Sequence, residues 1–345
     1  MSSPAAAPRT LLVAPNWVGD CVMAEPVFRA LAASGREIVV LAKRPLHGLL
    51  ALFPGVVAAI DNRRDEATVA EIAGAGFAEA ILLPNSFRAA WMLSRAGVPR
   101  RFGYRADFRG PLLAPAVARP RDGFRVIRPQ IEDYRELLAA MAVAPPDDWI
   151  PRLDLAPALI ARGRERLERA RLLDDAGPLV GLSPGAEWGG SKRWPMRYWA
   201  DLARALRRGI PGVREAIFAG PKEIWLGVRV HEESGKIHPM LGPDLDLPGL
   251  AAVLSHFDLL VTNDSGPMHL AAAVGVPCVA LFGPTDHRRT APAGGAEAGH
   301  VVLSRDLWCS PCFRRRCPLL HHGCMRGLGV EEVAAAVERR LANGA

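Results

Sequence analysis

The sequence predicts an α/β protein of two units, each built on a doubly wound parallel sheet. Three observations carry this. Short apolar runs alternate with helix-length segments from Thr10 to Ala96, and the alternation lapses after Arg100 and restarts at Leu179. The runs are near-continuous in Val, Ile, Leu and Ala, as strands covered on both faces should be. The chain has 345 residues, half of them hydrophobic, enough for two cores of about 150 residues each.

In the first half, Thr10–Pro15, Glu37–Ala42, Val56–Ile60 and Ala80–Pro84 read as strands. Helical segments near Val22–Ala33, Ala67–Ala75 and Phe87–Ala96 separate them, and a βαβα rhythm implies a parallel sheet. From Arg100 to Ala156 the text is rich in Pro and Arg, with one helix near Ile131–Met141 and a break at Pro145-Pro146. Asp154–Arg171 reads as a helical linker. Strands then recur at Leu179–Pro184, Ala216–Ala219, Leu259–Thr262 and Cys278–Phe282. Helices fit near Met196–Arg207, Ile224–Ser234, Pro248–Ser255, Pro267–Val274 and Glu331–Leu341. The expected division is 1–160, 161–328 and a C-terminal helix in 329–345.

Composition removes several function classes. The longest apolar stretch, Leu270 to Phe282, is broken by Gly275 and Pro277, and a spanning helix needs about 20 residues. The apolar run Leu11–Ala14 is too short for a signal peptide, so a cytoplasmic location is expected. Lys and Arg exceed Asp and Glu by 43 to 36, which favours an anionic partner. Aromatics make up 6 %, too few for a chain that stacks bases, and no nucleic-acid partner is expected.

Ligands of such sheets bind beyond the carboxyl ends of strands, so the strand-to-helix turns hold the candidate chemistry, and the cleft between two such units is the default site. The first turn is Pro15-Asn16-Trp17-Val18-Gly19-Asp20, where Asp20 is either a helix cap or a carboxylate able to take a proton from a hydroxyl. The second, Ser183 to Pro195, is Gly-rich and carries Lys192 and Arg193. Cations, glycines and a following helix suit a diphosphate, although the GxxxxGK[ST] phosphate loop is absent. The third, Thr262-Asn263-Asp264-Ser265-Gly266-Pro267-Met268-His269, puts Ser265 and Gly266 at a helix start, where unpaired N–H groups attract anions. His269, in that first turn, is expected to be neutral.

Two further clusters stand out. Ser86 to Arg128 holds ten Arg against two Asp, which reads as a solvated face or as a dock for a multiply anionic substrate or membrane surface. Cys309, Cys312, Cys317 and Cys324 have a spacing able to close a structural zinc site in a reducing compartment.

Taken in order, PNWVGD (15–20), LLPNSFRAA (82–90), RRFGYR (100–105), LSPGAEWGGSKRWP (182–195), TNDSGPMHLAAA (262–273) and FGPTD (282–286) resemble glycosyltransferase family 9, the ADP-heptose:lipopolysaccharide heptosyltransferases, and within it the type II members. The resemblance spans nearly the whole chain. It implies a GT-B fold of two Rossmann-like domains facing a central cleft, with the acceptor on the first and ADP-heptose on the second. The implied reaction is inverting and metal-independent, carrying heptose to the inner-core heptose of lipopolysaccharide at the cytoplasmic face of the inner membrane. The implied catalytic pair is Asp20, as general base, and Lys192. The implied donor set adds Glu187, Trp188, Glu223, Leu245, Asp264, Ser265, Gly266 and His269. Asn16, Trp17, Asn85, Ser86, Arg88, Arg101 and Arg105 fall to a phosphorylated glycolipid acceptor, with peripheral contact to an anionic leaflet. The alternatives are another core acceptor within the family and a GT-B sugar-nucleotide epimerase.

Overall fold

The computed structural model describes residues 9–118, 129–174, 176–235 and 239–343. Arg119, Arg121, Asp122, Arg125 and Arg128 of the basic stretch lie outside them. The chain divides into Met1–Pro151 and Arg152–Ala345.

The first unit contains β1 (Arg9–Val13), α1 (Val18–Met23), α2 (Glu25–Ala33), β2 (Glu37–Ala42), α3 (His47–Leu50), β3 (Val56–Asp61), α4 (Glu66–Ala75), β4 (Glu79–Leu82), α5 (Phe87–Arg95), β5 (Arg100–Tyr104), β6 (Ala116–Val117) and α6 (Glu132–Ala140). Its sheet has the order β3-β2-β1-β4-β5-β6, all pairs parallel. Leu11, Leu12 and Val13 are fully buried at its centre, as their unbroken apolar text requires. β3 departs from the expected two-sided cover: it sits at the sheet edge and Val57, Ala58 and Ala59 are exposed. The helix expected to run unbroken from Val22 to Ala33 is two, joined at Ala24, with Pro26 in the first turn of α2 where its missing N–H has no intrahelical partner to lose. Side-chain caps start others: Asp65 accepts from Thr68 N–H before α4, and Ser86 from Ala89 N–H before α5.

The second unit contains α7 (Pro157–Arg169), β7 (Leu179–Ser183), α8 (Met196–Gly209), β8 (Arg214–Phe218), α9 (Ile224–Glu233), β9 (Met240–Leu241), α10 (Leu247–Leu254), β10 (Leu259–Asn263), α11 (Gly266–Ala273), β11 (Cys278–Leu281), α12 (His287–Thr290), β12 (Val301–Leu303), α13 (Gly323–Arg326) and α14 (Val330–Ala342). Its sheet order, β12-β11-β10-β7-β8-β9, repeats that of the first unit. Trp199, Leu202, Ala203 and Leu206 recur at helical spacing on α8 and are fully buried. They share one core with Val333, Ala336 and Val337 of α14, so the C-terminal helix is an integral layer of this unit.

α7 belongs to this unit too, and the division falls nine residues before the expected one at 160/161. A Cβ at Gly163 would stand 2.5 Å from the Ala252 carbonyl oxygen of α10, so α7 is packed against the unit and is not a free linker. Among the described residues no helix is long and apolar enough to cross a membrane.

Candidate functional site

Both sheets have their topological switch point beside the first strand of the unit, between β1 and β4 and between β7 and β10. Chains leave these neighbours in opposite directions, which opens a crevice past their carboxyl ends. The three turns picked out by sequence follow three of these four strands, β1, β7 and β10.

In the first unit, Asp20 lies one turn into α1. Trp17 is the residue before the helix, and no side chain caps it, so Asp20 is not the N-cap. Gln130 Nε2 donates to Asp20 Oδ1 at 3.1 Å and stands 3.4 Å from the Tyr134 hydroxyl. Tyr134 is fully buried, and burial first, then the Asp20 charge, pushes its phenol well above the usual range. The hydroxyl therefore stays protonated. Asn16 accepts from Arg64 at 3.4 Å, and Trp17 is exposed.

The basic stretch resolves into two kinds of arginine. Arg109 is completely buried. Its guanidinium donates to the Tyr104 carbonyl at 2.9 Å, the Pro84 carbonyl at 2.6 Å and Asn85 Oδ1 at 2.8 Å, and burial lowers its pKa. Arg101 donates to the carbonyls of Leu112, Val98 and Pro99. Arg101 therefore holds β5 to its connections. Ser86 is occupied as the cap of α5, and Asn85 by Arg109. Arg88 and Arg105 are exposed.

Arg109→Ala is expected to cost about 3 kcal/mol or more, because it strands buried carbonyls and opens a cavity behind the turn after β4. Arg88→Ala should stay within about 0.5 kcal/mol. Urea unfolding of the two variants checks this, and equal midpoints would contradict it.

In the second unit, three turns converge. Asn263, fully buried at the end of β10, donates to the Pro184 and Gly185 carbonyls at 2.8 and 3.3 Å and accepts from Trp194 N–H at 3.1 Å. It clamps the Gly-rich turn against the β10–α11 turn. Lys192 Nζ lies 2.5 Å from Asp264 Oδ2, with both side chains largely buried. Thr285 of the turn after β11 donates to the same oxygen at 2.6 Å.

Ser265 is the residue before α11, and Gly266 opens it. Pro267 has no N–H and Met268 N–H donates to the Ser265 carbonyl at 3.2 Å, which leaves the N–H groups of Ser265 and Gly266 at the helix start, where an anion is favoured. His269 is buried one turn on. Burial pushes its pKa down to about 4, against the pull of Asp264 and with the push of Lys192, so the ring is neutral near pH 7.

Other expected donor residues sit differently. Glu223 Oε1 accepts from Ala186 N–H at 2.9 Å and from Arg193 at 2.7 Å, so it pins the Gly-rich turn. Glu187 is exposed and paired with Lys222 at 2.5 Å. Leu245 lines a cavity of about 490 Å³ with Leu159, Arg166 and Gly249, between α7 and α10. Trp188 carries Lys192 at 5.1 Å and Arg315 at 5.9 Å from its ring centroid.

Cys309, Cys312 and Cys317 are partly exposed and Cys324 is buried, all as free thiols. Burial raises the Cys324 pKa, and the other three cysteines add to the rise. Among the described residues no three His, Cys, Asp or Glu side chains are grouped to ligate one ion.

Gln130, Asn263, Thr285 and Arg315 were not singled out by sequence. Asn263 and Thr285 lie inside the matched stretches 262–273 and 282–286, which was the one signal for them.

The profile of glycosyltransferase family 9 (heptosyltransferase) matches residues 69–322. The chain is 31 % identical over 300 residues to lipooligosaccharide heptosyltransferase 2 of Haemophilus influenzae, covering 82 % of this chain and 85 % of the relative. It is 30 % identical over 304 residues to lipopolysaccharide heptosyltransferase 2 of Salmonella typhimurium, with the same coverage. Among solved structures it is similar to E. coli ADP-heptose lps heptosyltransferase II, with TM-score 0.79, 26 % identity and coverage of 97 % of this chain and 99 % of the other.

Proposed function

The chain belongs to glycosyltransferase family 9, the heptosyltransferases, and on that premise we propose that it moves heptose from ADP-heptose to the inner-core heptose of lipopolysaccharide, with inversion and without a catalytic metal. It is a glycosyltransferase of the GT-B type. The epimerase alternative drops out, because the matching family is one of transferases.

One observation carries the chemistry: a largely buried lysine, fixed by Asp264, stands at the start of α11 beside the Gly-rich turn at the sheet's switch point. That is an anion site with little freedom to reorganise. Asp20 removes the proton from the acceptor hydroxyl as its oxygen attacks the anomeric carbon. The bond from that carbon to the ADP oxygen breaks on the opposite face, so the configuration inverts. Lys192 and the N–H groups of Ser265 and Gly266 take up the charge that grows on ADP. Neutral His269 is suited to hydrogen-bond the donor and adds no competing charge to the site.

The acceptor is a phosphorylated glycolipid at the cytoplasmic face of the inner membrane, with Arg88 and Arg105 the exposed cations of the first unit suited to its phosphates. Attachment there is peripheral and salt-sensitive, in keeping with the net charge of +7. The direct check is release of ADP from ADP-heptose in the presence of a truncated core acceptor, with and without EDTA. Acceptor-dependent release that persists in EDTA is expected. Release that vanishes in EDTA and returns with Mg²⁺ would overturn the metal-free reading.

A further inference from the structure

We infer that Arg315, carried by the cysteine-rich segment, is a second cation on the diphosphate of the donor. The inference rests on the ADP-heptose reading. It begins with how tightly the segment is built onto the donor turn. Ser191 N–H donates to the Arg315 carbonyl at 3.2 Å, its hydroxyl donates to the Arg314 carbonyl at 2.5 Å, and His322 Nε2 stands 2.6 Å from the Ser191 carbonyl. A Cβ at Gly189 would lie 2.6 Å from the Arg315 carbonyl oxygen, so only glycine permits this approach. The same segment is tied to the turn after β11, by Ser310 Oγ to the Gly283 carbonyl at 2.6 Å and Phe313 N–H to the Pro284 carbonyl at 2.8 Å. The backbone that carries Arg315 is therefore fixed to both turns that hold Lys192 and Thr285.

Charge makes the second half of the argument. Lys192 is paired with Asp264, and Arg193 with Glu223. Each loop cation is thus largely neutralised within the protein, whereas a diphosphate brings more than one negative charge. The cation left over beside them is Arg315. It is exposed, it shares the Trp188 ring with Lys192, and no carboxylate among the described residues pairs with it. A guanidinium there is able to hold two phosphate oxygens at once. The chemistry it fits is the diphosphate, not the nucleoside, because it meets the same Trp188 ring as Lys192, the cation assigned to the diphosphate.

Calorimetry with ADP and with AMP tests this on the full chain. Arg315→Ala should weaken ADP about tenfold, with AMP changed much less, a size typical of a lost charge-assisted hydrogen bond. Arg315→Lys should recover part of the loss, and Arg316→Ala should stay within about twofold. An Arg315→Ala protein with wild-type melting and wild-type ADP affinity would overturn the inference, as would equal losses for ADP and AMP. If Arg315→Ala melts early, Arg315→Gln is read the same way. A wild-type protein that binds no ADP would overturn the donor reading itself, a result distinct from unchanged affinity in the variant.

Discussion

Asp20→Asn is expected to slow heptose transfer by about 10²–10⁴-fold, the usual worth of a general base, while ADP binds as before. The substitution keeps the size of the side chain and an oxygen for Gln130 Nε2 to donate to, so the geometry around it should persist. It does not remove a helix cap, because Asp20 makes no capping bond to α1. A fall in rate therefore reports proton removal and not a frayed helix. Kinetics at saturating acceptor alongside ADP calorimetry give the split. Full turnover in Asp20→Asn would show that some other group takes the acceptor proton.

Lys192→Ala should lower kcat/KM by about 10²–10³-fold, in the range seen when one preorganised donor to a developing charge is removed. Donor affinity should fall as well, since the cation touches the diphosphate both before and during bond breaking. The variant also strands Asp264, which is 4 % exposed and would keep Thr285 as its partner, so some stability is lost with the activity. The double variant Lys192→Ala/Asp264→Asn separates the two effects. Removing the orphaned charge should restore melting without restoring ADP affinity. Recovery of both would mean that Lys192 acts only by neutralising Asp264.

The central strands were legible because Leu11–Val13 and Val39–Leu41 are unbroken apolar runs, and a strand covered on both faces needs such text. Edge strand β3 was legible too, but β5, β6, β9 and β12, at or next to the edges, were not. β5 reads RRFGY, and its arginines escape the core: Arg100 reaches Glu79 and the face of Phe102, while Arg101 turns back to backbone carbonyls. β6 and β9 are two residues each and exist through pairing with a neighbour, which no local pattern announces.

The site divides in the same way. Its turns were visible because Gly, Asp, Ser and Pro mark where parallel strands end. The partners that fix them were not, since Asn263 with Pro184 and Arg314 with Ser191 meet only after folding. Net charge was legible but its use was not. Arg109 and Arg101 look like surface cations in the text and are braces in the fold, because a buried guanidinium satisfies several carbonyls at once.

The most direct test of the account is the identity of the product. Purified protein is given ADP-heptose and two core acceptors, one ending in its first heptose and one lacking heptose, and each is weighed by mass spectrometry. The account predicts that the heptose-bearing acceptor gains one heptose, with one ADP released per transfer, and that the other is unchanged. Transfer to the heptose-free acceptor, or no transfer to either while ADP-heptose is consumed, would contradict it.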